Sequence, residues 1–291
     1  MLNSIRDFHK VVDIGNLTKA AKELFITQPA LSISIKNLEK QLGCKLLTRG
    51  KNGVKPTKLG KVVYKFSKEI DIDFKNLKRR ISESNRKSSK NICMGMIDNV
   101  GLVFVSKVYK EFHKNHLKVN LQIQVDNSYR LIEKVEKGKI DFAIITKGDQ
   151  KLSNKFFIND FGEEEMVLVA SPKVAEGIKN IKSLNNMNFI SYNKESSTHK
   201  IIKNTLEEND LSINFISHSS SPKFIVEMIK EGVGIAFLPE NYVQKDILTE
   251  ELKRIRIRSL NFTRQFQLIY LRSTFLTKTT QEFIERIREV F

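Results

Sequence analysis

The sequence contains no apolar run that approaches the ~20 residues a helix needs to cross a bilayer. The N-terminus lacks the apolar region of a secretory signal, and runs such as Val100–Val105 are far too short to span a membrane. Only two cysteines are present, Cys44 and Cys93, so a framework of disulfides is not expected. These absences predict a cytoplasmic protein.

The motifs of several enzyme classes are also missing. The chain has no glycine-rich phosphate-binding loop and no nucleophile elbow, and its five histidines form no cluster with the spacing of metal ligands. We therefore expect a binding protein rather than an enzyme, with no cofactor and no metal.

Positive charge, in contrast, is abundant and unevenly placed. The net charge is +17, and residues 1–90 contain 21 basic against 8 acidic residues. The remaining 201 residues contain 29 basic and 25 acidic residues and are close to balanced. A general bias toward lysine is the alternative explanation, but it should not load one third of the chain so unequally. We expect the N-terminal third to bind a polyanion, within a chain of at least two domains.

Residues 18–42 contain two short amphipathic patterns separated by a break at Ile26-Thr27. In the second pattern, apolar residues recur with helical spacing at Leu31, Ile35, Leu38 and Leu42. Thr27 can cap that helix, and Pro29 is tolerated because first-turn amides have no partner within a helix. The opposite face carries short hydrogen-bonding groups and a cation at Gln28, Ser32, Ser34 and Lys36. Such a face fits the major groove of DNA, so the segment predicts a helix-turn-helix.

The flanking segments fit this interpretation. Helical spacing of apolar residues from Leu2 to Ile14 predicts a supporting first helix, and Asn16 or Thr18 can cap the next one. After the recognition helix, residues 45–61 are rich in glycine and lysine and predict two short strands that form a wing. The basic residues Arg49, Lys51 and Lys55 would reach DNA phosphates from it. A solvated charged loop is the alternative, but the position directly after a recognition helix favours the wing.

A long helix is expected from about Thr57 to Lys87, where no proline occurs. Its apolar residues follow steps of three and four: Leu59, Val63, Phe66, Ile70, Phe74, Leu77 and Ile81. One narrow stripe on a helix ~45 Å long needs a partner, and a second copy is the simplest one. Packing on the C-terminal domain of the same chain is the alternative. Dimerisation also fits DNA recognition, because paired recognition helices read dyad-symmetric sites.

Beyond the polar segment 86–90, where we place a domain boundary, strand and helix patterns alternate. Strands are predicted at Ile92–Ile97, Val119–Val125, Phe142–Thr146, Met166–Ala170, Asn188–Tyr192, Asn214–Ser217, Ile235–Leu238 and Phe266–Leu271. Helices are predicted at Leu102–Asn115, Tyr129–Lys137, Thr198–Asn209, Lys223–Glu231 and Lys278–Val290. This alternation predicts a mostly parallel sheet, in one body or two lobes, with a ligand crevice at the carboxyl ends of strands.

The sequence resembles the LysR-type transcriptional regulators of bacteria along essentially its whole length. The most specific segment is residues 20–49, with paired alanines, Gln-Pro-Ala at 28–30, Leu-Glu at 38–39, Leu-Gly at 42–43 and Arg49. Pro56-Thr57 and Gly60 match the end of the wing. In the second domain, Gly95, residues 139–144 and residues 232–239 occur in the expected order.

The resemblance implies a multidomain fold. An all-α winged helix-turn-helix would occupy residues 1–58, a dimerising linker helix 59–88, and a two-lobed α/β effector-binding domain 89–291, like periplasmic binding proteins. Lobe I would comprise about 91–162 and 267–291, and lobe II about 163–266. The resemblance also implies tetramers, a small-molecule inducer, DNA bending as the regulated variable, and RNA polymerase as a further partner.

The family pattern places Gln28, Pro29, Ala30 and Ser32 on the DNA-facing start of the recognition helix, and Arg49 on the wing. With the face and the cations described above, the predicted DNA-binding set is Thr18, Thr27, Gln28, Pro29, Ala30, Ser32, Ile33, Ser34, Lys36, Arg49, Lys51 and Lys55. Ile33 and Ser34 depart from the family, where a positively charged and an amide side chain are usual. Ile33 either packs against thymine methyl groups or is an exposed isoleucine without consequence.

The resemblance also places the inducer between the lobes. The predicted effector-binding residues are Asp98, Asn99, Val100, Ser128, Thr146, Ser196, Ser197, Thr198, Ser219 and Ser220. Hydroxyls and helix-start amides suit a small polar ligand, although any single one of these residues also suits a helix cap. Asp98 departs from the family, where a hydroxyl or small residue is usual. Because a fixed carboxylate repels an anion, we expect a ligand with an amine or a neutral polar group.

Together these observations predict a dimeric or tetrameric, sequence-specific transcriptional regulator. It would bind double-stranded DNA at a dyad-symmetric operator under the control of a small polar effector. The alternative is a non-specific or effector-independent nucleoid-type DNA-binding protein, but such a protein would not need the second domain. A solute-binding transport component would need export, for which the sequence shows no signal.

Overall fold

The computed structural model describes residues 2–50, 53–84, 90–97, 105–185 and 187–290. The chain forms two compact units. Unit 1 comprises Met1–Ile81 and Ser273–Phe275, and unit 2 comprises Ser82–Arg272 and Leu276–Phe291.

Unit 1 consists of three short helices, a two-stranded hairpin and one long helix. These are α1 (Leu2–Ile14), α2 (Leu17–Glu23), α3 (Gln28–Leu42), β1 (Leu47–Gly50), β2 (Gly53–Pro56) and α4 (Lys58–Ser84). Phe8 of α1, Ala20 and Ala21 of α2, and Leu31 of α3 pack into one buried core, in which the two alanines allow close approach of the helices. The predicted winged helix-turn-helix followed by a long helix is confirmed.

Local sequence sets the ends of the two helices of the motif. Asn16 caps α2 and Thr27 caps α3, each by accepting a hydrogen bond from the amide three residues later, at 3.0 Å and 3.3 Å respectively. Gly43 ends α3 with a φ of 65°, a left-handed conformation that glycine adopts without steric penalty. Asn16 is therefore the cap of α2, while Thr18 lies exposed on that helix.

One buried carboxylate fastens the hairpin to α3. Glu39 accepts hydrogen bonds from the amides of Leu46 at 2.8 Å and Leu47 at 3.3 Å, and from Lys45 Nζ at 2.9 Å. Burial raises the pKa of Glu39, but these hydrogen bonds and the charge of Lys45 outweigh it and hold the pKa below its ordinary value. Gly60 completes the junction, because a Cβ there would lie 2.0 Å from the carbonyl oxygen of Leu46.

The apolar stripe of α4 divides between two surroundings. Val63 and Ile70 pack against the core of unit 1. The other predicted members of the stripe are exposed: Leu59, Phe66, Phe74, Leu77 and Ile81. Arg6 of α1 holds the middle of α4 through an ion pair with Asp71 at 3.1 Å. The outward side of α4 is thus unusually apolar for a surface that faces water.

Unit 2 alternates strands and helices. Its strands are β3 (Lys90–Met96), β4 (Val119–Val125), β5 (Phe142–Thr146), β6 (Phe156–Ala170), β7 (Asn188–Tyr192), β8 (Asn214–Ser219), β9 (Ile235–Pro239), β10 (Lys253–Ile255) and β11 (Phe262–Leu271). Its described α-helices are α5 (Ser106–Asn115), α6 (Ser128–Glu136), α7 (Pro172–Ala175), α8 (Ser197–Glu207), α9 (Pro222–Lys230), α10 (Glu240–Leu248) and α11 (Lys278–Arg288). Single 3-10 turns lie at Ile181–Leu184 and Arg258–Leu260.

These strands form two lobes joined by two long strands. The order is β4-β3-β5-β11-β6-β9-β7-β8, with β10 beside β6. In lobe I, β3 pairs in parallel with β4 and β5, and in lobe II, β7 pairs in parallel with β8 and β9. The antiparallel strands β6 and β11 pass through both lobes, because β11 pairs with β5 and β6 pairs with β9. The predicted two-lobed α/β architecture is confirmed.

The sheet is mixed, however, and not mostly parallel as the sequence predicted. One part of the sheet that the sequence did not reveal is the first half of β6, residues 156–165, which contains four acidic residues and no long apolar run. Pairing with β11, far along the chain, holds this polar segment in a strand. In contrast, Phe142–Thr146 and Asn188–Tyr192 occur with the predicted bounds, because nearly every side chain in them is buried.

Candidate DNA-binding surface and effector cleft

An exposed strip runs along α3 on the side away from the core of unit 1. Leu31, Ile35 and Leu38 are buried, so the residues between them face outward. The predicted contact residues on the strip are the exposed Gln28, Pro29, Ala30, Ile33 and Lys36 and the half-buried Ser32 and Ser34. An amide, a hydroxyl and a cation are thereby presented on one helix face, with Ile33 58% exposed among them.

Hydrogen bonds within unit 1 orient two polar groups near this strip. Gln28 Nε2 donates to Ser32 Oγ at 3.1 Å, which holds the amide along the helix. Ser34 Oγ donates to Asp7 Oδ2 at 2.5 Å and is therefore directed toward α1 rather than outward. We interpret Ser34 as a residue that fixes α3 to its support, so its DNA contact stays a prediction with a competing structural role.

The structure describes only some of the predicted DNA-contacting residues that lie outside α3. Lys55 is exposed on β2, and Thr27 is exposed although its hydroxyl caps α3. Arg49 pairs through its backbone with Val54 in the hairpin, but its side chain lies outside the described residues. Lys51 also lies outside them. The phosphate contacts of the wing therefore stay predictions.

A cleft of about 480 Å³ lies between the two lobes of unit 2, large enough for a small ligand. Predicted effector-binding residues from both lobes line it: Ser128, Thr146, Ser196, Ser197, Thr198, Ser219 and Ser220. The other three, Asp98, Asn99 and Val100, lie outside the described residues. The structure thus brings together predicted residues as far apart in the chain as Ser128 and Ser220.

Three helices begin at the wall of this cleft. Asn127, Ser196 and Ser221 cap α6, α8 and α9 by accepting first-turn amides at 3.0, 3.1 and 3.4 Å. The capping interpretation therefore holds for these three side chains. The helix starts also direct partial positive charge toward the cleft.

Two further hydroxyls of the wall, those of Ser128 and Ser197, also have partners, but they retain capacity for a ligand. Ser128 Oγ accepts from the amide of Thr146 at 3.1 Å, which ties α6 to the end of β5. Ser197 Oγ donates to Gln150 Oε1 at 3.4 Å. Because a hydroxyl combines one donor with two acceptor positions, a single partner leaves further positions for a ligand.

A buried ion pair at this cleft was not predicted from the sequence. Arg264 of β11 lines the cleft but is only 2% exposed. Its Nε donates to Glu164 Oε1 at 2.7 Å, and its Nη1 donates to Thr198 Oγ1 at 2.8 Å. Glu164 lies directly opposite on β6. The pair therefore joins the two strands that pass through both lobes, and Thr198 connects it to α8.

A sequence signal for this arginine does exist. Side chains on a strand alternate between two faces, and Arg264 shares its face with Phe266 and Leu268, both of which are buried. A cation in phase with buried apolar residues indicates a buried charge that needs a partner. Identifying Glu164 as that partner requires the β6–β11 register, which the sequence does not show.

Charge of both signs surrounds the cleft. Asp126, at its wall, is paired with Lys134 at 3.0 Å and more loosely with Arg130 at 3.8 Å. Glu195 lies at the opposite wall, just before the start of α8. Because Arg264 also lines the cleft, the cleft offers both hydrogen-bond donors and acceptors to a small polar molecule.

A histidine pair lies behind the wall of lobe II. His199 Nδ1 is 2.8 Å from Ser191 Oγ, and its ring centroid is 5.1 Å from that of His218. Burial, followed by the charges of His218, Lys203 and Lys194, lowers the pKa of His199 from 6.5 to about 4. The ring is therefore neutral at pH 7.

The described part of the chain contains neither a candidate metal-binding cluster nor a helix that could span a membrane. Its histidine, cysteine and acidic side chains nowhere form a group of three or more that could hold a metal ion. None of its helices combines the length and the apolar character required to cross a bilayer.

Both units of the chain match known protein families. The family model described as LysR substrate binding domain matches residues 85–291, and that of the bacterial regulatory helix-turn-helix protein, lysR family, matches residues 2–61. A probable RuBisCO transcriptional regulator of Thalassiosira pseudonana is 29% identical over 92% of this chain and 90% of its own. ArgP from Mycobacterium tuberculosis aligns with a TM-score of 0.73 and 14% identity, over 98% of this chain and 95% of its own. LysG from Corynebacterium glutamicum, solved with the bound effector Arg, aligns with a TM-score of 0.67 and 14% identity, over 99% and 98%.

At such identities the solved structures show a shared fold. The family models go further, because together they cover the helix-turn-helix and the complete two-lobed domain in the order found here. Members of this family combine a DNA-binding helix-turn-helix with an effector-binding domain. The chain belongs to the LysR family of transcriptional regulators.

Proposed function

We propose that α3 reads operator bases through its exposed strip, while Arg49 and the wing lysines contact phosphates. The observation that supports this most is the linked pair Gln28 and Ser32, which faces outward while Leu31 and Leu38 anchor the helix from behind. Base contacts of this kind supply specificity. Phosphate contacts supply much of the affinity and make it dependent on salt.

The test starts from operators selected by binding of genomic fragments to the full-length protein. Gln28→Ala should cost ~1–3 kcal/mol on the selected site and little on random DNA. Lys55→Ala, the comparison variant, should weaken both about equally and reduce the salt slope by about 1. Equal loss on both DNAs for Gln28→Ala would mean that Gln28 meets only the backbone. Equal competition by any DNA would favour the nucleoid-type alternative.

We further propose that α4 pairs with a second copy of itself, so that two α3 helices meet a dyad-symmetric operator. The support is the exposed apolar stripe that includes Phe66, Leu77 and Ile81. Ile81→Lys should shift the protein toward monomers in sedimentation experiments, whereas Lys65→Glu, an exposed substitution off the stripe, should not. Unchanged assembly of Ile81→Lys and of Phe66→Lys would place the interface elsewhere.

The effector of this proposal is a small polar molecule that carries an amine or a neutral polar group. Its support is the wall of hydroxyls, the acidic groups Asp126 and Glu195, and the fold shared with LysG, which was solved with arginine bound. Calorimetric titration of amine-bearing compounds and simple carboxylates into the wild type and Asp98→Ser tests the preference. If the substitution changes no affinity, Asp98 is not part of the site.

Two remaining expectations follow from the family. A regulator that binds operators acts where the DNA is, which supports the cytoplasmic location, and it controls transcription through RNA polymerase. Co-purification of polymerase with the full-length protein on operator DNA, compared with DNA alone and polymerase alone, tests the second expectation. Tetramers would appear as two dimers on one operator fragment in the same sedimentation experiments.

A further inference from the structure

Side chains from both lobes meet in a cluster beside the cleft. Tyr129 lies on α6 and Asp149 follows β5, both in lobe I, whereas Lys200 lies on α8 of lobe II. Lys200 Nζ donates to Tyr129 Oη at 2.7 Å and to Asp149 Oδ2 at 2.9 Å. Tyr129 Oη donates in turn to Asp149 Oδ1. We call these three residues the inter-lobe clasp.

The backbone next to the clasp also approaches closely across the lobes. A Cβ at Gly148 would lie 3.2 Å from Ser197 Cβ and 2.8 Å from Gln150 Oε1. Gln150 Nε2 donates to the carbonyl of Thr146 at 2.5 Å, and its Oε1 accepts from Ser197. The turn after β5 is therefore packed against the first turn of α8, and any opening of the lobes must separate the two.

The charges of the clasp reinforce one another. The hydrogen bond from Tyr129, followed by that from Lys200, lowers the pKa of Asp149. The same contacts with Tyr129 and Asp149 raise the pKa of Lys200. Both groups are thus charged at neutral pH. Because they are also substantially exposed, their attraction is moderate and is screened by salt.

We propose that Lys200 is a positioning residue that sets the width of the effector cleft. The strands β6 and β11 run through both lobes, and the Arg264–Glu164 ion pair joins these two strands. The clasp, in contrast, connects the two lobes beside the cleft. Thr198, which contacts Arg264, lies two residues before Lys200 on the same helix. Loss of the Lys200 side chain removes two of the hydrogen bonds that hold α8 to lobe I, so α8 and its cleft-lining residues separate from lobe I more often. The proposal rests on the proposed function only in taking this cleft as the effector site.

Hydrogen exchange of the full-length protein without any added ligand tests the proposal. Lys200→Met keeps most of the length of the flexible side chain but removes its ammonium group and therefore its charge. We expect exchange in the first turn of α8 and in the turn after β5 to rise about two- to five-fold, which corresponds to ~0.4–1 kcal/mol. The matched control is Lys203→Met, because Lys203 pairs with Glu207 of its own helix at 3.4 Å. The control should leave both peptides unchanged.

Two further measurements, the salt dependence and an exchange of the two charges, distinguish the loss of the clasp ion pair from a general destabilisation of α8. Added salt should raise exchange at these peptides in the wild type but much less in Lys200→Met. Asp149→Lys and Lys200→Asp should each open the clasp, and the double variant should restore protection. Identical behaviour of Lys200→Met and Lys203→Met, or failure of the double variant to restore protection, would overturn the proposal. Because no effector is used, a cleft that opens as expected while binding no tested compound refutes only the effector proposal.

Discussion

The buried pair Arg264–Glu164 makes a quantitative prediction about unit 2. Arg264→Met leaves the Glu164 carboxylate without its cation, and Glu164→Leu leaves the guanidinium without its anion. Both side chains are at most 3% exposed, so solvent cannot replace the missing partner. We therefore expect each single variant to lose several kcal/mol of unfolding free energy. The double variant replaces both charges by apolar groups and should recover most of that loss.

Urea unfolding followed by far-ultraviolet circular dichroism measures these free energies, since the chain has no tryptophan to report on them. Exchange in peptides from β6 and β11 assigns the transition that belongs to unit 2. Losses below about 1 kcal/mol in both single variants, or additive losses in the double variant, would refute the reasoning.

Three further predictions concern other parts of the chain. Phe25 has a φ of 55°, and its side chain is 96% exposed. Phe25→Gly should therefore relieve backbone strain without losing buried apolar area, and it should raise the free energy of unfolding by ~0.5–1 kcal/mol. A lower urea midpoint would contradict this. Glu39→Gln should weaken the hydrogen bonds from Lys45 and from the wing amides, and it should therefore lower the free energy of unfolding by ~1–2 kcal/mol. Hydrogen exchange at the Leu46 amide should become faster. Unchanged exchange there would show that α4 alone holds the wing. Because the folded pKa of His199 is about 4, the folded state favours the neutral ring, so its contribution is present above pH 6.5 and is lost as the pH falls toward 4. His199→Gln should flatten the stability profile in that window, and an unchanged slope would exclude His199 as its source.

Local patterns in the sequence determined the DNA-binding unit almost completely. The buried stripe of α3, the cap at Thr27 and the stop at Gly43 all depend on neighbours within a few residues, so spacing alone identifies them. The same holds for Phe142–Thr146, because a short run of mostly apolar residues indicates a strand whose side chains are buried on both faces of the sheet. Because Leu31, Ile35 and Leu38 are buried, the face of α3 that remains outward is the strip with Gln28 and Ser32.

Tertiary structure decided what depends on distant partners. The polar first half of β6 is a strand because β11 pairs with it, and the stripe of α4 divides because only Val63 and Ile70 meet the core. Arg264 meets Glu164 because β11 pairs with β6, and Thr198 of α8 reaches this pair from lobe II. The clasp of Tyr129, Asp149 and Lys200 likewise requires residues of both lobes. The physical reason is that periodicity records which face of an element is buried, whereas a charged pair or a cleft depends on register between elements, and register is chosen by the packing of the whole domain.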